Sequence, residues 1–141
     1  MDIRLPRPDH WVDRSMVVLS APEPTEGGVA PNMVVTRDRL GPDDVGEDKE
    51  RIRSFADRQL GFMRDQLVDP VVHSRRLVRI ADRRAAEVIV SWTSSGVRLT
   101  QLVTFIMRDQ ERVAIATATA TEAEFATHEP TFRGMLERIE L

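Results

Sequence analysis

The side chains with the widest chemical range near neutral pH are three histidines, His10, His73 and His128. Each could do acid–base work or activate a nucleophile if the right partner stood beside it. His10 adjoins Trp11, His73 sits on a strand among Arg75, Arg76 and Arg79, and His128-Glu129 opens a helix, where the acid favourably faces the positive end. No nucleophile is placed with a base. The histidines and carboxylates show no metal-ligand spacing. There is no Gly-rich phosphate loop and no G-x-S-x-G elbow. Zero cysteines exclude disulfides, thiolate zinc sites and thiol catalysis. The expectation is a protein that is not an enzyme, with no cofactor and no metal.

A different chemistry is spread along the strands. Thr, Ser and Gln alternate with aliphatic residues in "LTQLVTFIM", "AAEVIVSW" and "RVAIATATAT". Such residues offer hydrogen bonds without buried charge, which suits a half-dry binding surface. The net charge of -3, from 20 basic and 23 acidic residues, gives no reason to expect nucleic acid. No apolar run approaches the roughly 20 residues needed to cross a bilayer, so stable membrane insertion is not expected. "MDIRLPRPDHW" lacks the apolar centre of a secretory signal, which points to the cytoplasm. A chain of 141 residues fits one domain, 1–141, burying about two thirds of its unfolded surface.

The elements that must position these residues follow from periodicity. Residues 15–20 and 32–38 read as two strands joined through a Pro- and Gly-rich turn at 21–31. From 45 to 67 the period becomes 3.6, with Ile52, Phe55, Ala56, Leu60, Met63 and Leu67 as the apolar stripe. Asp69-Pro70 is expected to end that helix. Four strands follow, separated by "ADRR", "TSSG" and "RDQE". Connections this short demand antiparallel neighbours. A helix over about 122–138 closes the chain, started by a Thr121–Glu124 capping box or by a restart at Thr127 with Pro130 in its first turn. The fold class is α+β: a mostly antiparallel sheet in the order β-β-α-β-β-β-β-α, with both helices packed on one face.

The strand faces raise a question. In "RVAIATATAT", Val113, Ile115, Thr117 and Thr119 share one side and Ala114, Ala116, Ala118 and Ala120 the other. An alanine face admits close approach, either by the domain's own last helix or by a helix from a partner. Its own "EPTFRGML" helix is the expected occupant, which leaves Val113, Ile115, Thr117 and Thr119 for the partner. Near the N-terminus, Asp13-Arg14 beside Trp11 reads as an ion pair that anchors the leading segment.

The ordered pieces "LPRPDHWVDRSMVVL", "NMVVTRD", "RQLGFMRDQL", "AAEVIVSW", "QLVTFIM", "VAIATATA" and "FATHEPTFRGML" cover nearly the whole chain. Together they resemble the effector-associated (Eag) adaptor chaperones of bacterial type VI secretion, whose fold is similar to that of DcrB, PsbP and Mog1. The resemblance implies a homodimer that shields the transmembrane-like N-terminal helices of a secreted effector. It also implies help in seating that effector on the spike, near a PAAR or VgrG-type component. Carried over, the client surface would draw on Val34, Ile89, Leu102, Thr104 and Ile106, with Gln59 and Gln101 as hydrogen-bond donors to a helix. Gln101 and Leu102 point to opposite faces, so one groove cannot hold both. The last strand has more alanine than the family pattern leads one to expect, and "TSSGVRLTQ" is compact. Two other readings stand beside the adaptor: a binding or assembly module for a folded partner, and a small enzyme or ligand carrier.

Overall fold

Alternation becomes strand and 3.6-residue periodicity becomes helix along the whole chain. The structure, a computed structural model, describes residues 4–23 and 28–141. In order these form β1 (Val17–Ser20), β2 (Asn32–Arg39), α1 (Asp48–Gln66), β3 (Val68–Ile80), β4 (Arg83–Ser94), β5 (Val97–Met107), β6 (Arg112–Thr121) and α2 (Phe125–Glu137). The six strands make one antiparallel sheet ordered β1-β2-β6-β5-β4-β3. The α+β class and the element order are those expected from the sequence.

The run from β3 to β6 is a meander of hairpins. Two of its turns place both central residues at positive φ: Ala81 and Asp82 (49° and 64°), then Ser95 and Gly96 (49° and 81°). Two-residue turns of this kind match the right-handed twist of the flanking strands. They fix the register that pairs Val88 with Val103 and Phe105 with Ile115.

Several boundaries differ from expectation. The first strand begins at Val17 rather than at 15, and part of the expected turn, 24–27, lies outside the described residues. α1 passes through Leu67 straight into β3, so Asp69-Pro70 falls inside the strand. There Asp69 takes φ 50° and the register shifts. At the last helix neither expected start forms. Glu124 is the N-cap without a side-chain cap bond, and Pro130 lies inside α2 rather than in its first turn.

The larger correction concerns the helices, which do not share a face. On one side Ile52, Phe55, Ala56 and Leu60 of α1 pack with Ala86, Val88, Val90, Val103, Phe105 and Val113. On the other side Phe125, Phe132 and Leu136 of α2 pack with Ala85, Leu102, Ile106, Ala116, Ala118 and Ala120. The physical reason is visible in the strands. An antiparallel sheet leaves a face wet only if that face is polar. β4, β5 and β6 are apolar on both, so each face needs its own cover. The alanine row seats the domain's own last helix, as the sequence suggested.

Each helix is also held by a buried carboxylate. Asp44, whose side chain has no exposed surface, accepts from both guanidinium nitrogens of Arg58 (2.8 Å each), from Ser54 Oγ (2.7 Å) and from the Gly41 N–H (2.6 Å). Burial alone would raise its pKa. The bonds from Arg58, Gly41 and Ser54 outweigh burial and hold it at about 2, below the ordinary 3.8. A depressed pKa contributes stability that is complete above the unfolded value and is lost as pH falls through the folded one. Urea unfolding should therefore show Asp44→Asn about 2 kcal/mol less stable than the parent at pH 7. The gap should narrow between about pH 4 and pH 2. A gap that is the same at every pH would refute this account of Asp44.

Candidate functional site

α1 rests on β4, β3 and β5. Its flanks are identified by what they reach. Arg51 bonds Gln110 in the β5–β6 turn and Arg58 bonds Asp44 beyond β2, while Asp57 on the opposite flank meets Arg75 of β3 at 3.0 Å. The helix is thus set towards the β3 side, and the β1-β2-β6 side of the same face stays open. Phe62 follows Arg58 by one turn on the flank turned to that open half and is 55% exposed.

The strand register specifies the rows that run from the open half to the buried Val103, Val90 and Leu99. One cross-strand row runs Val18, Val34, Thr117, Val103. The next runs Ser20, Asn32, Thr119, Gln101, Val90. A third runs Thr121, Leu99, Trp92. None of these residues is charged. Val18 is exposed, and Val34, Thr117, Gln101 and Trp92 are half-buried. A polar ladder crosses the strip: Trp92 Nε1–H donates to Gln101 Oε1 (2.9 Å), and Gln101 Nε2–H donates to Thr119 Oγ1 (3.0 Å). This leaves Gln101 one spare amide N–H and one spare carbonyl lone pair. Gln59, one turn after Phe55 and half-buried, carries no side-chain hydrogen bond among the described residues.

The residues singled out from sequence therefore divide. Val34, Gln101, Thr117 and Thr119 come together on the strip, with Gln59 on the helix that borders it. Ile115 is half-buried on the same face, packed against the α1 cluster. Four others are not available to a partner. Leu102, Thr104 and Ile106 are fully buried on the α2 face, and Val113 is fully buried against α1. Ile89 is half-buried on the α2 face, away from Val34. Grouping Val34 with Leu102, Thr104 and Ile106 is thereby corrected, since strand parity puts them on opposite sides of the sheet. Trp92, Val18 and Phe62 are members the sequence reading missed. The period-2 rule places Trp92 on the face of Gln101 once the β4–β5 register is known.

The histidines are dispersed. His73 Nε2 lies 2.7 Å from Ser91 Oγ, which is 2.6 Å from Thr100 Oγ1, and both hydroxyls are buried. His128 faces Glu124 at 3.5 Å and the Phe132 ring. Asp13 pairs with Arg37 at 3.5 Å, not with its neighbour Arg14. No helix among the described residues is long and apolar enough to cross a membrane.

A family model, DcrB, matches residues 2–137. The chain belongs to the DcrB family. Solved structures extend the likeness of this DcrB-family chain. PA94 of Pseudomonas aeruginosa, a protein of unknown function, is 25% identical, with a TM-score of 0.76 over 96% of this chain and 88% of that one. LpqN of Mycobacterium tuberculosis, involved in cell envelope biogenesis, is 14% identical, with a TM-score of 0.59 over 92% and 85%. Cyanobacterial PsbP from Synechocystis is 8% identical, with a TM-score of 0.51 over 83% and 76%. The last two support the DcrB-family fold alone. Among curated proteins, none matches the sequence.

Proposed function

We propose that this DcrB-family protein is a non-catalytic adaptor chaperone of the Eag type. It would bind the apolar N-terminal helices of a type VI secretion effector in the cytoplasm, as a homodimer, and pass them towards a PAAR or VgrG-type spike component. The observation that carries the reading is the uncharged strip Val18–Val34–Thr117 with the Trp92–Gln101–Thr119 ladder, left open beside α1. An apolar helix in water is disfavoured by about 25 cal/mol per Å² of exposed apolar surface. A strip of aliphatic and neutral hydrogen-bonding groups removes that exposure without burying an unpaired charge. Gln101 and Gln59 can bond the polar atoms of a helix backbone brought close by small residues. Two copies turned strip to strip would enclose such a helix on both sides.

The test is coexpression with the N-terminal region of an effector encoded beside this gene. The parent chain should raise the soluble yield of that region severalfold. Thr117→Arg should remove the gain while its own thermal unfolding stays near that of the parent, because Thr117 is half-buried on an open strip. No gain with the parent chain would refute the proposal. Capture that survives deletion of the client's apolar helices would point instead to a folded partner.

A further inference from the structure

The two edges of the sheet are built differently. β3 carries Pro70, two shifts of register and Arg75, Arg76 and Arg79, the devices that discourage a further strand from pairing. β1 has none of them. It pairs with β2 on one side only, and Val17, Val18 and Leu19 are each more than half exposed. Although it is only four residues long, its outer backbone groups meet no further strand among the described residues.

Beside that edge, on the α2 face, lies a groove of about 640 Å³. Val17, Leu19, Met33, Val35, Met135 and Ile139 line it. The register explains the set: Val17 pairs with Val35 and Leu19 with Met33, so alternate residues of β1 already face the groove. A strand added outside β1 would direct its own alternate side chains to the same side.

The groove also has a polarity. Arg37, Arg108 and Arg138 line it against one acidic side chain, Glu140. Arg37 is engaged by Asp13, whereas the side chains of Arg108 and Arg138 have no partner among the described residues. Arg37 pairs with Ala114 at the end of β2 that lies beside the chain entering β1, and Arg108 follows Met107, which pairs with Val113 at that same end. An antiparallel newcomer arrives there with its C-terminal end.

We propose that β1 receives an extended segment of a partner polypeptide, paired antiparallel. Its alternate apolar side chains enter the groove, and an acidic residue following them is attracted by the positive end that carries Arg108 and Arg138. This surface is separate from the strip beside α1, so one molecule could hold a client helix and a partner strand together. Main-chain pairing supplies affinity, while the groove and the guanidinium groups select sequence and direction.

The test uses fluorescein-labelled peptides and the full chain. TVTLTVTEE should bind with a Kd of about 10–100 μM by anisotropy, and the acid-first EETVTLTVT about tenfold more weakly. Val17→Lys and Leu19→Lys should abolish binding with unchanged circular dichroism, since both positions are exposed. Arg138→Glu should weaken TVTLTVTEE about tenfold and create a preference for the lysine-ended TVTLTVTKK. No saturable binding up to about 1 mM, or equal affinity for the two acidic peptides, would overturn the proposal. So would a dimer in sedimentation that Val17→Lys dissociates, because a second copy would then occupy the edge.

Discussion

The Leu102→Asp variant should yield no folded protein. Leu102 has no exposed surface and lies among Ala118, Phe125, Phe132 and Leu136, with α2 closed over it. An aspartate there buries a charge with no partner, or else takes up a proton and leaves a polar group in a dry site. It also empties much of the leucine's volume. These costs together exceed about 5 kcal/mol, comparable with the whole stability of a domain of this size. The variant should lack a cooperative thermal transition, whereas Thr117→Asp, on the open strip, should unfold near the parent midpoint. A cooperative Leu102→Asp transition within a few degrees of the parent would mean that α2 does not cover this residue in solution. The comparison also separates the faces, because any loss of the proposed binding through Thr117 would be a surface effect and through Leu102 a loss of fold.

Arg133→Met should destabilise the protein by about 2–3 kcal/mol, lowering its melting temperature by about 10 °C. Glu87 is buried in the middle of the α2 face. Its carboxylate accepts from Arg133 Nη1 at 2.9 Å and from Arg76 Nε at 2.6 Å, and Arg133 is also fixed by Glu129 at 2.8 Å. Burial pushes the Glu87 pKa up, but the two guanidinium groups more than offset that and bring it below the ordinary 4.5. Truncating Arg133 leaves a buried carboxylate with only the more exposed Arg76 for support. Glu87→Met combined with Arg133→Met should recover most of the loss, because two apolar side chains need no mutual satisfaction. The sign of the pH effect follows from the depressed pKa: the stability that Glu87 contributes in the parent is full above about pH 4.5 and is lost as Glu87 protonates. If the double variant melts no higher than Arg133→Met alone, the cost does not come from an unpaired buried carboxylate.

Much of this architecture is legible in the residues. "AAEVIVSW", "LTQLVTFIM" and "RVAIATATAT" alternate without interruption, and the short turns between them leave only antiparallel pairing. The stripe from Ile52 to Leu67 gives α1. The distribution of the helices was also written there, in the apolar character of both faces of β4, β5 and β6. Reading that character as a spare binding face placed Leu102 and Ile106 on the surface, when each face in fact lies under a helix. What the residues do not contain is the lateral position of α1. Its place on β3, β4 and β5 is set by the direct passage through Leu67 into β3 and by the reach of Arg58 to Asp44 and Asp57 to Arg75. Only that position decides that Val113 is core while Thr117, four residues along the same strand and on the same face, is half open.

The strand order carries a kinetic consequence. β3 to β6 are joined by turns and can zip as successive hairpins, whereas β2 must find β6 across most of the chain. Pairing between distant segments is slow to form and pays a larger loop-closure entropy. β1 and β2 are therefore expected to join last, onto a platform already built, and to open first in the native state. The outer wall of the open strip belongs to this pair, while its floor belongs to the meander. The open strip thus joins a rigid half to a yielding one. If helices bind there as proposed, the strip adjusts to their girth chiefly through β1, because β2 commits Met33 to the core under α2.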